Sequence, residues 1–193
     1  SYAIYAHTKT DQEEMILNIG RAYKIPSVAL RYFNIYGPRQ SLSNPYTGVA
    51  AIFMSRIKND SAPVIYEDGE QSRDFVSVHD VVQANMLAME NPAADYQAFN
   101  VGAGGRVSIR QVAETLASVF GKDDIHPEIT NRYRYGDTRH CFADIRKIQQ
   151  ALGYEPEVSF EQGMEELVRW AHGAQAVDGF DRARRELEQR GLA

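Results

Sequence analysis

The sequence predicts an α/β protein, because runs typical of helices alternate with short runs rich in strand-forming residues. Residues 9–23 carry apolar side chains at helical spacing, and the run SVALRYFNIYG at 27–37 has the composition of a β-strand. A helix that leads into a buried strand is typical of a crossover unit. We expect 1–60 to form the end of a sheet-and-helix layer. We expect 61–172 to form mainly a mixed α/β lobe, with some segments returning to the sheet, and 173–193 a charged helix or tail.

The first third of the chain predicts two helices separated by one strand. The first helix is amphipathic, and the members of its apolar stripe are Met15, Ile16, Ile19 and Ala22. Pro26 follows the end of this helix, and Gly37-Pro38 ends the strand. A second helix is predicted over VAAIFMSRIKN, and its apolar residues are Val49, Ile52, Phe53 and Ile57.

The remaining elements alternate more quickly. The segment 62–78 predicts two short strands around the turn residues Asp68-Gly69, a helix opens near Asp80, and AFNVGAGG is a strand that runs into glycines. The later helices carry capping residues at their ends. The predicted start and end signals are Ser108 with Gln111 and Gly121, Asp144 with Gly153, and Ser159 with Gln162.

Composition excludes several classes of function. The net charge of −5 is spread along the chain, so no basic stripe is available for a nucleic acid. No apolar run approaches the length of a membrane span or a signal peptide, and the single cysteine, Cys141, excludes an internal disulfide framework. We expect a soluble cytoplasmic protein that binds neither nucleic acid nor membrane.

Two pairs of potential metal ligands and one glycine cluster have simpler interpretations. The pairs His79-Asp80 and His140-Cys141 each consist of sequence neighbours, which point to opposite faces of a strand, and no second pair is spaced to complete a site. We predict no metal. GAGG at 102–105 lacks the spacing of a dinucleotide-binding loop and is interpreted as a turn.

The stretch YAIYAHTK places Tyr5 four residues before Lys9. In a helix these positions share one face, and a cation next to a phenol favours the phenolate, which can act as a base. Such pairs also occur by chance on ordinary surface helices. From these two residues alone, a catalytic couple and a plain first turn of a helix both remain open.

Several motifs in one order carry more information than this pair. YAIYAHTK, VALRYFNIYGPRQ, DGEQSRDFVSVHDVV, FNVGAGGRVSI and YRYGDTRHCFADIRKIQQALGYEP occur in that sequence along the chain. Over residues 2–172 the chain resembles the extended short-chain dehydrogenases/reductases that act on nucleotide sugars. The resemblance implies a doubly wound, Rossmann-like parallel sheet with a smaller substrate-binding lobe. The chain would supply the end of that sheet and most of the lobe.

The resemblance also implies roles for eight residues. Tyr5 would move a proton at a sugar hydroxyl, while Lys9 would hold the nicotinamide ribose. Tyr32 and Phe33 would pass beside the nicotinamide. The substrate-binding residues would be Asn34, Arg73 and Arg134 at the diphosphate and Tyr66 against the nucleobase. Guanidinium forks suit a diphosphate better than ammonium groups do.

Each binding role has an alternative. Arg73 beside Asp74, and Arg134 near Asp137, could form surface ion pairs. Tyr66 could belong to the core, and Asn34 could simply end a strand. Glu67 stands where the family usually has glycine, which is a departure next to the predicted nucleobase contact.

The activity implied is that of an NAD-dependent nucleotide-sugar 4-epimerase, which oxidises C4, lets the 4-keto sugar rotate, and reduces it from the other face. A deoxysugar on a pyrimidine nucleotide, such as dTDP-L-rhamnose, is the expected substrate. A 4,6-dehydratase, a decarboxylase and a non-catalytic nucleotide-sugar-binding fragment are the alternatives. The glycine-rich loop and the catalytic Ser/Thr are not in the sequence, so we expect a C-terminal portion of a larger enzyme whose N-terminal dinucleotide-binding half is missing here. The family's homodimer uses a four-helix bundle that includes the helix of Tyr5.

Overall fold

The structure is a computed structural model that describes residues 4–42, 48–132, 137–174 and 185. Its helices are α1 (Ile4–Tyr23), α2 (Val49–Lys58), α3 (Val78–Glu90), α4 (Ile109–Val119), α5 (Arg146–Leu152) and α6 (Phe160–Gly173), with a 3-10 turn at Pro92–Ala94. Its strands are β1 (Val28–Tyr32), β2 (Asn34–Tyr36), β3 (Val64–Ile65), β4 (Ser72–Arg73), β5 (Phe75–Ser77), β6 (Gln97–Val101), β7 (Val107–Ser108), β8 (Glu128–Ile129) and β9 (His140–Cys141). No helix in these ranges is long and apolar enough to cross a membrane.

The strand predicted over 27–37 is divided into β1 and β2 at Phe33. Strand β1 pairs in parallel with β6, and β2 pairs in parallel with β5. The change of partner occurs at one residue, because the Phe33 N–H donates to the Val101 carbonyl and the next N–H, of Asn34, donates to the Asp74 carbonyl. The chain at 33–34 therefore lies where two parallel pairs meet.

The turn at Asp68-Gly69 is flanked by two short strands, β3 and β4, as predicted. They do not pair with each other. Strand β3 pairs in parallel with β8, whereas β4 lies between β7, which is antiparallel, and β9, which is parallel. The loop between β3 and β4 is therefore held by strands that come from much later in the chain.

Helix ends follow the predicted capping residues closely. Ser159 and Gln162 form a reciprocal capping box at the start of α6, and the Ser108 hydroxyl accepts the Gln111 N–H at the start of α4. Gly153 ends α5 in the left-handed conformation, with φ of 71°. Asp144 lies one residue before the observed N-cap, Ile145, although its carboxylate still accepts the Arg146 N–H at 3.1 Å.

The apolar stripe predicted for α1 is not buried. Met15, Ile16 and Ile19 are 55%, 49% and 47% exposed, and the buried residues of the helix are Leu17 and Gly20 on the opposite side. A Cβ on Gly20 would lie 2.0 Å from the Ser27 Oγ, so the absence of a side chain allows the close approach of the helix to the segment before β1. The stripe is therefore free to pack against another surface that is not among the described residues.

The core consists of two clusters. The first lies among α2, α4, α6 and strands β2 and β5, and its members include Tyr36, Phe53, Met54, Leu116 and Leu167. The second lies among α3, α5 and strands β1 and β6, and its members include Phe99, Val101, Ile148, Leu152 and Tyr154. The paired strands β2 and β5 separate the two clusters, since Phe75 belongs to the first and Val76 to the second.

Candidate functional site

A cavity of about 190 Å³ lies beside the start of β2, the end of β3 and strand β4. Three of the four residues predicted to bind substrate, Asn34, Tyr66 and Arg73, line it. They come from two segments that are far apart in sequence, residue 34 and residues 66–73, and the pairing of β2 with β5, which closely follows Arg73, brings them together. The side-chain amide of Asn34 has no hydrogen-bond partner among the residues described, so it is available to a ligand.

Arg73 lines this cavity, and only one of its guanidinium nitrogens is hydrogen-bonded within the described ranges. Its Nη1 donates to the carbonyls of Ser72 and Arg139, both at 2.9 Å. Its Nε and Nη2 have no acceptor within the described ranges. Three of the five N–H donors of arginine are on these two atoms, so Arg73 can bind an anion without losing its existing contacts.

The alternative interpretation, an Arg73–Asp74 ion pair, is wrong. The Asp74 carboxylate is fully buried and accepts three backbone N–H groups, from Ala103 at 2.8 Å, Gly104 at 3.0 Å and Ala143 at 3.2 Å. Burial raises the pKa of the Asp74 carboxyl, and the three donors partly offset that rise. Asp74 therefore joins the turn after β6 to the segment after β9, and Arg73 points elsewhere.

The loop after β3 forms one wall of the cavity. The Gln71 Nε2 donates to the Tyr66 carbonyl at 2.8 Å, which closes the loop on itself. Glu67 has φ of 54°, in the left-handed region that favours glycine. This is the position at which the sequence departs from the family's usual glycine, so the backbone conformation there is one that glycine adopts at less cost.

Arg139 binds the same loop through two ion pairs. Its Nη1 lies 2.8 Å from Glu67 Oε2, and its Nη2 lies 2.8 Å from Asp68 Oδ2. The hydrogen bond from Arg139 lowers the pKa of the Asp68 carboxyl to about 2. The segment that contains Arg139 and the cavity residue Asp137 is thereby attached to the wall formed by Glu67.

Tyr5 and Lys9 lie together in the first turns of α1. The Lys9 Nζ is 5.7 Å from the centre of the Tyr5 ring, and it donates to Gln12 Oε1 at 3.2 Å. Tyr5 is 72% exposed, and the Thr8 hydroxyl donates to its carbonyl at 2.9 Å. Neither Tyr5 nor Lys9 lines the cavity. Tyr5 and Lys9 are therefore neighbours, but they lie outside the cavity that the predicted substrate-binding residues line.

Tyr32 and Phe33 lie at the carboxyl end of β1. The Tyr32 hydroxyl donates to Asn85 Oδ1 at 2.9 Å, and Phe33 packs partly against the second core cluster. The carboxyl ends of strands in open parallel sheets are where ligands usually bind. Asn34 follows directly, so these residues connect the end of β1 to the cavity.

Arg134 lies outside the described residues, as does its relation to Asp137. Two further residues line the cavity, Glu67 and Gln71, and the sequence analysis assigned neither of them a binding role. Their only sequence signal is position, because they lie between the predicted contacts Tyr66 and Arg73. Within the described ranges, no three His, Cys, Asp or Glu side chains are grouped so that they could hold a metal ion.

The chain is similar to known proteins over most of its length. A sequence model of the family described as GDP-mannose 4,6 dehydratase matches residues 2–167. The chain belongs to this family. The resemblance to extended short-chain dehydrogenases/reductases that act on nucleotide sugars is thereby confirmed.

Relatives within the family include named epimerases. The chain is 35% identical over 176 residues to a dTDP-L-rhamnose 4-epimerase from Burkholderia thailandensis, covering 91% of this chain and 47% of that protein. It is similar to the crystal structure of UDP-glucose 4-epimerase with UDP-glucose from Thermotoga maritima, with 38% identity and a TM-score of 0.77. That match covers 84% of this chain and 51% of the other.

A third similar structure contains the cofactor. It is the UDP-glucose 4-epimerase from Thermus thermophilus in complex with NAD, with 32% identity, a TM-score of 0.77, and coverage of 89% of this chain and 54% of the other. The family's Rossmann-like α/β fold, with its parallel strands, is therefore confirmed for the chain. The chain spans about half the length of the relatives it matches.

Proposed function

We propose that the intact protein is an NAD-dependent nucleotide-sugar 4-epimerase, to which this chain contributes the tyrosine–lysine pair and the nucleotide cavity. The observation that carries the proposal is the cavity lined by Asn34, Tyr66 and Arg73, whose Nε and Nη2 have no acceptor among the described residues. The epimerase names of the relatives support it. The single cysteine is free, which suits a reducing cytoplasmic location.

The cavity suits the nucleotide half of a nucleotide sugar. A diphosphate is best held by charge-assisted hydrogen bonds from planar guanidinium groups, and Arg73 has the Nε and Nη2 donors for this. We assign Arg134 as the second arginine, Asn34 as a further diphosphate donor, and Tyr66 as the aromatic contact of the base. At about 190 Å³ the cavity is smaller than most ligand sites, of about 300–1,000 Å³, so the sugar would extend beyond it.

The chemistry is assigned to the pair on α1. Tyr5 accepts the proton of the sugar hydroxyl at C4 as its phenolate and returns it when the ketone is reduced. Lys9 lies beside the Tyr5 ring and retains ammonium donors beyond the one bound to Gln12. Both side chains are exposed, so they fit a role beside the nicotinamide ribose, with Tyr32 and Phe33 next to the ring. NAD, when bound, supplies the hydride acceptor for C4.

The proton-transfer role is tested by Tyr5→Phe in the intact protein, which keeps the ring and removes the hydroxyl. We expect epimerisation to fall by about 10²–10⁴-fold, the usual contribution of a positioned acid–base group, while nucleotide-sugar binding is retained. Interconversion of the two C4 epimers by NMR measures the first quantity, and calorimetry measures the second. Tyr23→Phe is the matched control, because Tyr23 is equally exposed on the same helix. Undiminished epimerisation by Tyr5→Phe would reject the role.

The proposed substrate is a deoxysugar on a pyrimidine nucleotide, with dTDP-L-rhamnose as the first candidate. Support comes from the Burkholderia relative, whose name specifies that sugar. The same NMR assay with dTDP-L-rhamnose and UDP-glucose side by side decides between them. Turnover of UDP-glucose alone would reject the deoxysugar and keep the reaction type.

We further propose that the intact protein is a homodimer that buries the apolar stripe of α1. Met15, Ile16 and Ile19 are about half exposed, and helices bury such stripes against partners. Ile16→Glu is expected to convert a dimer to a monomer in sedimentation velocity. A wild-type monomer would contradict this proposal.

A further inference from the structure

Arg139 contacts both sides of the candidate cavity. Its guanidinium group bridges Glu67 and Asp68 in the loop after β3, at 2.8 Å to each carboxylate. Its backbone carbonyl accepts the Arg73 Nη1 at 2.9 Å and the Ser72 N–H at 3.1 Å. One residue therefore links the loop that carries Tyr66 to the side chain of Arg73.

We infer that Arg139 is a positioning residue, which holds the Arg73 guanidinium and the cavity wall in the arrangement that a nucleoside diphosphate requires. This inference rests on the proposed function. Arginine side chains have several freely rotating bonds, so a guanidinium binds an anion well only when its own orientation is held. The Arg139 carbonyl holds Nη1 and leaves Nε and Nη2 for the ligand.

The side chain of Arg139 adds a second attachment to the segment that holds this carbonyl. The segment is otherwise attached by strand β9, which is only two residues long, and by the Ser72 hydroxyl, which lies 2.9 Å from His140 Nδ1. Asp137, which lines the cavity, is two residues before Arg139, and the pairs with Glu67 and Asp68 tie the segment to the opposite wall. Loss of the guanidinium group should therefore loosen Arg73 and Asp137 together.

Glu67, one of the two carboxylates that bind Arg139, has a backbone conformation that is uncommon for a residue other than glycine. Its φ of 54° is unfavourable for a residue with a Cβ. Glycine would adopt the conformation easily but would have no carboxylate for Arg139. The side chain of Glu67 is mostly buried against its partner, with 16% exposed, so the ion pair is less screened than a pair at the open surface.

The test is a double-mutant cycle in the intact protein, with the dissociation constant of UDP and of dTDP measured by calorimetry. Arg139→Ala is expected to weaken nucleotide binding about tenfold, because small misplacements of binding groups have large effects. In an Arg73→Ala background the same substitution should weaken binding clearly less, since a large part of the effect of Arg139 passes through Arg73. A purely structural role would give the same loss in both backgrounds.

Arg110→Ala is the matched control. Arg110 binds the same loop, at Glu70 Oε1 and at the Asp68 carbonyl, but does not contact the segment of Arg139 that holds Arg73. It should leave nucleotide affinity unchanged, and both variants should have similar melting temperatures. NMR titration confirms that the pair is broken in Arg139→Ala if the pKa of Asp68 rises from about 2 toward its ordinary value of about 3.9.

The outcomes separate this inference from the proposed function. If the wild type binds the nucleotides and Arg73→Ala weakens binding, but Arg139→Ala does not, the role of Arg139 is rejected and the function stands. Equal losses for Arg139→Ala in both backgrounds also reject the role. If the wild type binds neither nucleotide, the proposed function and the inference both fail.

Discussion

Two buried tyrosines show how much a single hydroxyl group depends on its surroundings. The Tyr154 hydroxyl donates to the Gly102 carbonyl at 2.9 Å, whereas the Tyr36 hydroxyl is buried without a partner among the described residues. Tyr36 packs against α6 so closely that a Cβ on Gly163 would lie 2.1 Å from its oxygen. A buried polar group without a partner destabilises the fold, while a paired one contributes a modest net gain.

Removing each hydroxyl should therefore have opposite effects. Tyr36→Phe is expected to raise the free energy of unfolding by about 1 kcal/mol, and Tyr154→Phe to lower it by about 1 kcal/mol. Urea unfolding followed by circular dichroism measures both. The two residues are matched in size and burial, so equal losses for both substitutions would show that the Tyr36 hydroxyl has a stabilising contact.

At the scale of elements, the ends of α1 and α5 use the same backbone geometry with different residues. Helix α1 is followed by Lys24 with φ of 57°, and the next N–H, of Ile25, returns to the Gly20 carbonyl at 2.9 Å. Helix α5 is followed by Gly153 with φ of 71°. This left-handed position after a helix favours glycine, because a Cβ there crowds the backbone.

Reciprocal substitutions test that account. Lys24→Gly should stabilise the protein by about 1 kcal/mol, and Gly153→Ala should destabilise it by about 1 kcal/mol. Both effects are reduced by the unfolded state, because glycine gives the unfolded chain more conformational entropy than the other residue does. A Cβ at Gly153 would meet no atom within 4 Å, so the loss would reflect backbone conformation and not a clash. Thermal unfolding of both variants provides the measurement. A neutral Gly153→Ala would refute the conformational explanation.

For the whole molecule, ionisation of the tyrosines couples stability to alkaline pH. Tyr36 belongs to the first core cluster and Tyr154 to the second, so each core cluster contains one tyrosine whose ionisation would destabilise it. Burial, with a smaller contribution from nearby carboxylates such as Asp80, raises the pKa of both hydroxyls above the ordinary value. The folded protein therefore keeps protons that the unfolded chain loses above about pH 10.

Stability is expected to be unaffected by these groups below about pH 10 and to fall as the pH rises further. The slope is up to about 1.4 kcal/mol per pH unit for each tyrosine, because the unfolded state then binds fewer protons than the native state. Urea unfolding at pH 9 and pH 11 measures the drop. The double variant Tyr36→Phe and Tyr154→Phe should show a clearly smaller drop than the wild type, and an identical drop would contradict the assignment.

Local patterns in the sequence were sufficient for the helices, for most of their caps, for the α/β class and for the family. The reason is that a capping box such as Ser159–Gln162, or a glycine end such as Gly153, depends on bonds between residues three or four apart. Asn34, Tyr66 and Arg73 could also be named in advance, because motifs at family spacing carried them. Their binding roles remain predictions.

Only the tertiary structure decided which of these residues meet and which surfaces stay open. The division of one predicted strand at Phe33 depends on partners in β5 and β6, and the exposure of the α1 stripe depends on which side of the helix faces β1. The link from Arg139 to Glu67 joins residues 72 positions apart. No local pattern specifies such contacts, because they arise from the packing of whole elements. That packing also brings the residues of the cavity together from segments far apart in the chain.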